Sequence, residues 1–171
     1  MKMYLSRLLV LLVVSAFPAC LLFQSSTESI APRQEYCETI IDYCLLYPDT
    51  LQRVAVLEEE HGLQLAIPSL DSEVGVRGFR NYVYQGLQGW YETEIRSKEA
   101  EYETVEVKEA NYTDDFLRLH MELDGRLHLV QVHHLDRERW VVVRWEATED
   151  TRRSAAIKLF DRIDVIPGRI R

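Results

Sequence analysis

From Leu117 to Val132 the chain alternates apolar with other residues almost without interruption, and the break falls at Asp124-Gly125. That dipeptide supplies the two positive-φ positions of the tightest connection between antiparallel strands. A two-residue turn fixes the register: Leu123 opposes Arg126, Met121 opposes His128, Leu119 opposes Val130 and Leu117 opposes Val132. One face of this hairpin is largely apolar and has to be covered. The other carries Arg118, His120, Glu122, Leu129, Gln131 and His133 and is mixed. A turn at Asp136-Arg137-Glu138 leads to a further strand in which Val141, Val143 and Trp145 point inward. This register predicts Trp145 beside Val130, in one apolar cluster with Trp90 and Leu87.

Upstream, the spacing of Cys37, Ile40, Ile41, Cys44 and Leu45 predicts a helix that begins near Pro32 and ends at Pro48. On one continuous helix Cys37 and Cys44 would stand roughly 10 Å apart. A disulfide requires about 7 Å or less, so the expectation is two small buried side chains. Asp49-Thr50-Leu51-Gln52 can cap a second, shorter helix stopped by His61-Gly62, although Arg53 to Val56 also alternates like a strand. Leu63, Leu65 and Ile67 suggest a short strand. A long helix is expected from about Ser72 to Lys98, its glycines allowing close approach to a sheet. Glu103, Val105 and Val107 begin the strands, and Ile157 to Val165 reads as a long last one. Helices first and sheet second make an α+β fold with helices packed on one face of an antiparallel sheet.

Residues 1–23 read as an export or anchor segment. Lys2 and Arg7 supply a positive flank, and Leu8 to Phe23 is free of charge. Three outcomes are open: a retained membrane anchor, a lipoprotein modified at Cys20 in Phe17-Pro18-Ala19-Cys20, or a cleaved signal peptide. All three place the remainder outside the cytoplasm, on the periplasmic or extracellular side. Residues 24–31 form a polar spacer, and residues 32–171 a single domain. At 171 residues one domain is the natural size. A formal charge of -8 excludes the clustered basic surface that nucleic acid needs.

Short motifs add a resemblance. Glu73 to Arg80 (EVGVRGFR) resembles the opening of the third helix in polyketide-cyclase-like proteins of the nuclear-transport-factor-two-like superfamily. Arg139 to Trp145 (RWVVVRW) is similar to a strand of the same proteins, and Phe160 through Ile170 to their closing strand. The resemblance implies a cone: a curved sheet wrapped around a long helix. It does not imply a reaction, because that fold hosts isomerases, dehydratases, binding modules and assembly domains. An exported, tethered member resembles the periplasmic assembly factors of secretion systems more than soluble enzymes.

The chemistry-bearing residues are few. Extending the hairpin register opposes Asp115 to His134, and a carboxylate beside an imidazole is the core of general acid-base work. His133 and His134 point to opposite faces of a strand and do not chelate together. No Cys-x-x-Cys pair occurs, no two-His-plus-carboxylate set has credible spacing, and no metal or cofactor is expected. The sequence therefore leads to a membrane-tethered, non-catalytic domain that binds a partner protein or a small apolar ligand. The alternative is a small cofactor-free isomerase or hydrolase using Asp115 and His134.

Overall fold

The seven strands of the main sheet run in the order β3-β4-β5-β9-β8-β7-β6, with every neighbouring pair antiparallel. They are β3 (Gln52–Leu57), β4 (Gly62–Ile67), β5 (Ser72–Arg80), β6 (Val105–Tyr112), β7 (Phe116–Leu123), β8 (Arg126–His134) and β9 (Arg139–Glu146). Two meanders, β3–β5 and β6–β9, start at opposite edges and meet at the β5–β9 pair. Helix α1 (Leu87–Glu101) connects the centre of the sheet to its far edge. A second, three-stranded sheet has the order β1-β2-β10, built from β1 (Arg33–Glu38), β2 (Tyr43–Pro48) and β10 (Asp164–Pro167). Helix α2 (Arg153–Phe160) precedes β10. This computed structural model describes residues 32–81, 86–147 and 153–168. The export segment, the spacer and Cys20 lie outside the described residues. Among the described residues no helix is long and apolar enough to cross a membrane.

The fold is α+β, and the Asp124-Gly125 hairpin has the register its sequence dictates, including Leu117 opposite Val132. Asp124 (φ 49°) and Gly125 (φ 82°) take the left-handed conformations that the turn requires. The strand at Leu63, Leu65 and Ile67 and the turn at Asp136 also form as expected.

The predicted helices upstream do not form. Residues 33–48 are a hairpin, because Ile41, Tyr43, Leu45 and Tyr47 alternate inward with at most 2% exposure. An apolar pair four apart fits both periods; aromatic and β-branched residues tip the balance to strand. Cys37 and Cys44 fall directly opposite each other, Cα atoms 4.1 Å apart, and form a disulfide. The expectation of two unpaired thiols on a helix is thereby overturned. The second helix is strand β3 followed by one 3-10 turn, Glu58–Glu60. The long helix from Ser72 is half strand: Val74, Val76 and Gly78 face inward on β5, and helix begins only at Leu87. The EVGVRGFR motif thus lies on a strand and not on a helix. Of its two glycines only Gly78 permits close approach, since a Cβ there would stand 2.9 Å from the Tyr43 ring. At Gly75, and at Gly86 before α1, a Cβ would meet nothing within 4 Å, so the close approach expected at Gly86 does not occur. The last strand is also divided, into α2 and β10.

Two cores result, one on each side of the main sheet. On one side Leu65, Val76, Leu129, Val143 and Trp145 meet Tyr43 and Leu45 of the small sheet and Phe160 of α2. On the other, Leu119, Val130, Trp140 and Val142 meet Leu87 of α1, with Trp90 packed against them. The two helices therefore cover opposite faces and not one. Trp145 pairs with Leu129, one residue away from the expected position, and belongs to the α2 side. Arg144 takes the place beside Val130, its guanidinium carbon 5.6 Å from the Trp90 ring centroid. The aromatic that joins the α1 cluster from β9 is Trp140.

Candidate functional site

A half-open groove of about 1250 Å³ lies where the β1–β2 turn, the β8–β9 turn and β10 come together. The sequence builds each wall locally. The Glu38 carboxylate accepts the backbone N–H groups of Ile40 (3.0 Å) and Ile41 (2.6 Å) and so shapes the first turn. Asp42 completes it in the left-handed region, φ 60°, and its carbonyl accepts the Gly168 N–H at 2.8 Å. Arg139 bolts the walls together. Its Nη1 donates to the Ile41 carbonyl (3.2 Å) and to the Asp42 carboxylate (3.0 Å), and its Nε donates to Asp136 (2.6 Å). Asp136 above all, with Asp42, holds the Arg139 guanidinium in its charged form. Slight burial works against ionisation of Asp136, but the N–H groups of Glu138 and Arg139 and the Arg139 guanidinium lower its pKa. Arg80 faces Glu138 at 3.7 Å. These charges are satisfied within the groove. The rim also offers apolar surface, with Ile40 59% and Ile166 40% exposed, beside the exposed carboxylate of Glu35. Such an arrangement can hold a ligand or a peptide segment.

Asp115 and His134 come together only through the backbone, where the His134 N–H donates to the Asp115 carbonyl at 2.8 Å. The Asp115 side chain is exposed, and the His134 ring packs on Trp140 with centroids 4.6 Å apart. No hydrogen bond or ion pair joins the two side chains. Glu35, Cys37 and Cys44 bring ligand-type atoms within 4.8 Å of one another, but both sulfurs are engaged in the disulfide and are not thiolates.

Two charged clusters were not legible in the sequence. Across β6 and β7, Glu109 opposes His120 and its carboxylate lies 3.0 Å from Nδ1. A bulge between Val107 and Glu109 sets that register, and a bulge leaves no period to read. Burial pushes the His120 pKa down, although Glu109 pulls the other way. The ring is 4% exposed, so a substrate atom does not reach it without displacement of its neighbours. On the opposite face, Glu94 of α1 lies under the sheet with 8% exposure. Its carboxylate accepts from Arg144 Nη2 at 2.8 Å and faces His128 Nε2 at 3.9 Å. Burial works against ionisation of Glu94, but His128 and Arg144 outweigh it and hold its pKa below the usual range. His128, 1% exposed, also has Glu146 3.4 Å from Nδ1. The signal available was Glu94 itself, an acid at the core-facing spacing after Leu87 and Trp90.

No protein-family description matches the chain, and no curated protein matches it. A crystal structure at 1.50 Å resolution of a protein from Bacteroides thetaiotaomicron VPI-5482 is similar to it, with a TM-score of 0.43 and 9% sequence identity. The similarity covers 78% of this chain and 48% of that one, so the chain spans about half the length of that neighbour.

Proposed function

We propose that the protein is an exported, membrane-tethered, non-catalytic domain that captures a segment of a partner protein in the groove beneath the β1–β2 turn. The groove carries this reading: Arg139, Asp42, Asp136, Arg80 and Glu138 pair with one another inside it, while Ile40 and Ile166 stand exposed at its rim beside the carboxylate of Glu35. A half-open, charge-lined site suits a peptide segment better than a small apolar molecule, which is usually enclosed. The compartment is supported by the apolar N-terminal segment and by the Cys37–Cys44 disulfide, a bond that persists outside the cytoplasm. Kinship with the cone-fold superfamily stays part of the proposal and rests on the RWVVVRW segment, which lies on β9, and on the closing segment, which contains β10. The alternative, a cofactor-free isomerase or hydrolase, has the backbone adjacency of Asp115 and His134 in its favour.

Photo-crosslinking in intact membranes tests the site. A crosslinking residue at Ile40 or Ile166 is expected to trap a protein, and one at Tyr112 on the distant sheet edge is not. Equal trapping at all three positions, or none, would remove the groove as the binding site. For topology, a membrane-impermeant maleimide should label a Ser26→Cys variant once the outer barrier is opened. Labelling only after complete lysis would put the domain in the cytoplasm. Release from the membrane by Cys20→Ala would mark lipidation as the anchor.

A further inference from the structure

Strand β1 is the outer edge of the small sheet and contributes little to the core: four of its six residues are exposed, and Glu38 alone is buried. Beyond the ladder to β2, Arg33 pairs with Asp164, the Pro32 carbonyl accepts the Asp49 N–H at 3.2 Å, the Glu38 carboxylate faces His61 Nδ1 at 3.7 Å, and the half-buried Tyr36 packs on the core with its hydroxyl 3.5 Å from the Gly62 carbonyl. Strand β2 differs: Tyr43, Leu45 and Tyr47 are buried, and β10 pairs with its other edge. The bond between Cys37 and Cys44 adds the covalent tether among these otherwise weak, largely exposed attachments of β1. Cys37 is exposed, Cys44 is half-buried, and both line the groove.

We propose that Cys37–Cys44 is a thiol–disulfide exchange site for a dithiol reductant, and that its reduction frees β1 and loosens one wall of the groove. An incoming thiolate attacks the exposed Cys37 sulfur. The S–S bond breaks, its electron pair leaves on the Cys44 sulfur, and that thiolate takes up a proton. The reductant's second thiol, as thiolate, then attacks its own sulfur in the mixed disulfide. Cys37 departs as a thiolate and is protonated, and the reductant leaves as a cyclic disulfide. Two electrons and two protons have passed to the protein. Glu35 acts as a brake, because its carboxylate lies 3.6 Å from the Cys37 sulfur and repels both the arriving and the departing thiolate.

The consequence for partner capture rests on the groove reading; the exchange chemistry does not. The test uses the full chain in detergent with Cys20→Ser, so that only this pair reports. Dithiothreitol without denaturant should reduce it, with both thiols trapped by alkylation and counted by mass. Amides of residues 33–38 should then exchange at least about tenfold faster, and those of β7 and β8 should not change. The Cys37→Ser/Cys44→Ser variant should reproduce that pattern without reductant. Reduction only in denaturant, unchanged exchange in β1, or equally raised exchange in β7 and β8 would each overturn the proposal. Glu35→Gln should speed reduction about fivefold, and an unchanged rate would overturn attack at Cys37. Crosslinking from Ile40, compared in the oxidised and reduced protein, then reads the groove separately. Absence of any trapped protein in both states would sink the groove reading and leave the exchange result intact.

Discussion

Glu94 and His133 show how single side chains acquire properties that their neighbours in sequence do not foretell. Glu94 is an acid on the buried side of α1, tolerated because Arg144 and His128 meet it there. Removing one partner of a buried pair leaves the other uncompensated. Arg144 is partly exposed, with 39% of its side chain accessible, so the cost is smaller than for a fully buried pair. Glu94→Gln is expected to lower stability by about 2 kcal/mol in denaturant titration at neutral pH. With a pKa lowered below 4.5 in the folded state, Glu94 contributes stability above its unfolded value, and this is lost as pH falls through the folded one. The variant and the parent should therefore converge in strong acid. His133 is half-buried, and the protein around its ring pushes its pKa from 6.5 to about 4. Folding then favours the neutral form. That contribution is full above 6.5 and is lost as pH falls toward 4. His133→Gln should flatten the fall of Tm across that window, and an undiminished slope would assign it to other groups.

At the level of elements, close strand approach decides where side chains are tolerated. A Cβ on Gly62 would sit 2.0 Å from the Val76 carbonyl oxygen, inside the β4–β5 pair. Backbone cannot yield there without parting the strands. Gly62→Ala is expected to cost about 3 kcal/mol, read as a lower urea midpoint at unchanged m value. Gly75 on the same β5 has nothing within 4 Å of its Cβ position, and Gly75→Ala should be neutral or slightly stabilising. Helix α1 is an element of another kind. It buries only Leu87 and Glu94 fully, and leans on half-buried Trp90, Tyr91 and Ile95 to cover the sheet.

For the molecule as a whole, one sheet with a core on each side makes the two tryptophans of β9 independent. Trp140 and Trp145 are each 1% exposed, on opposite faces. Either change to Ala should cost about 3–5 kcal/mol. Because the two side chains share no neighbours across the sheet, the double variant should cost their sum within about 0.5 kcal/mol, measured on the Trp→Phe series if the double Ala variant does not fold. Strong non-additivity would mean that the two cores are coupled.

The partners and register of the β7–β8 hairpin were legible, because a two-residue Asp-Gly turn and strict alternation dictate them from local geometry alone, but the burial of its mixed face, with His120, Leu129 and Gln131 inside, was not. The α+β class was reached as well, but not by its expected order: the helices predicted before the sheet are strands, and the helices that form are α1 and α2. What local pattern left open, long-range packing settled. Residues 33–48 and 72–80 carry apolar spacings compatible with helix, and they are strands because β10 and β9 lie alongside to pair with them. The disulfide, the groove and the Glu94 and Glu109 clusters each depend on which strand lies beside which. That choice is made by burying two apolar faces at once, between segments up to 131 residues apart.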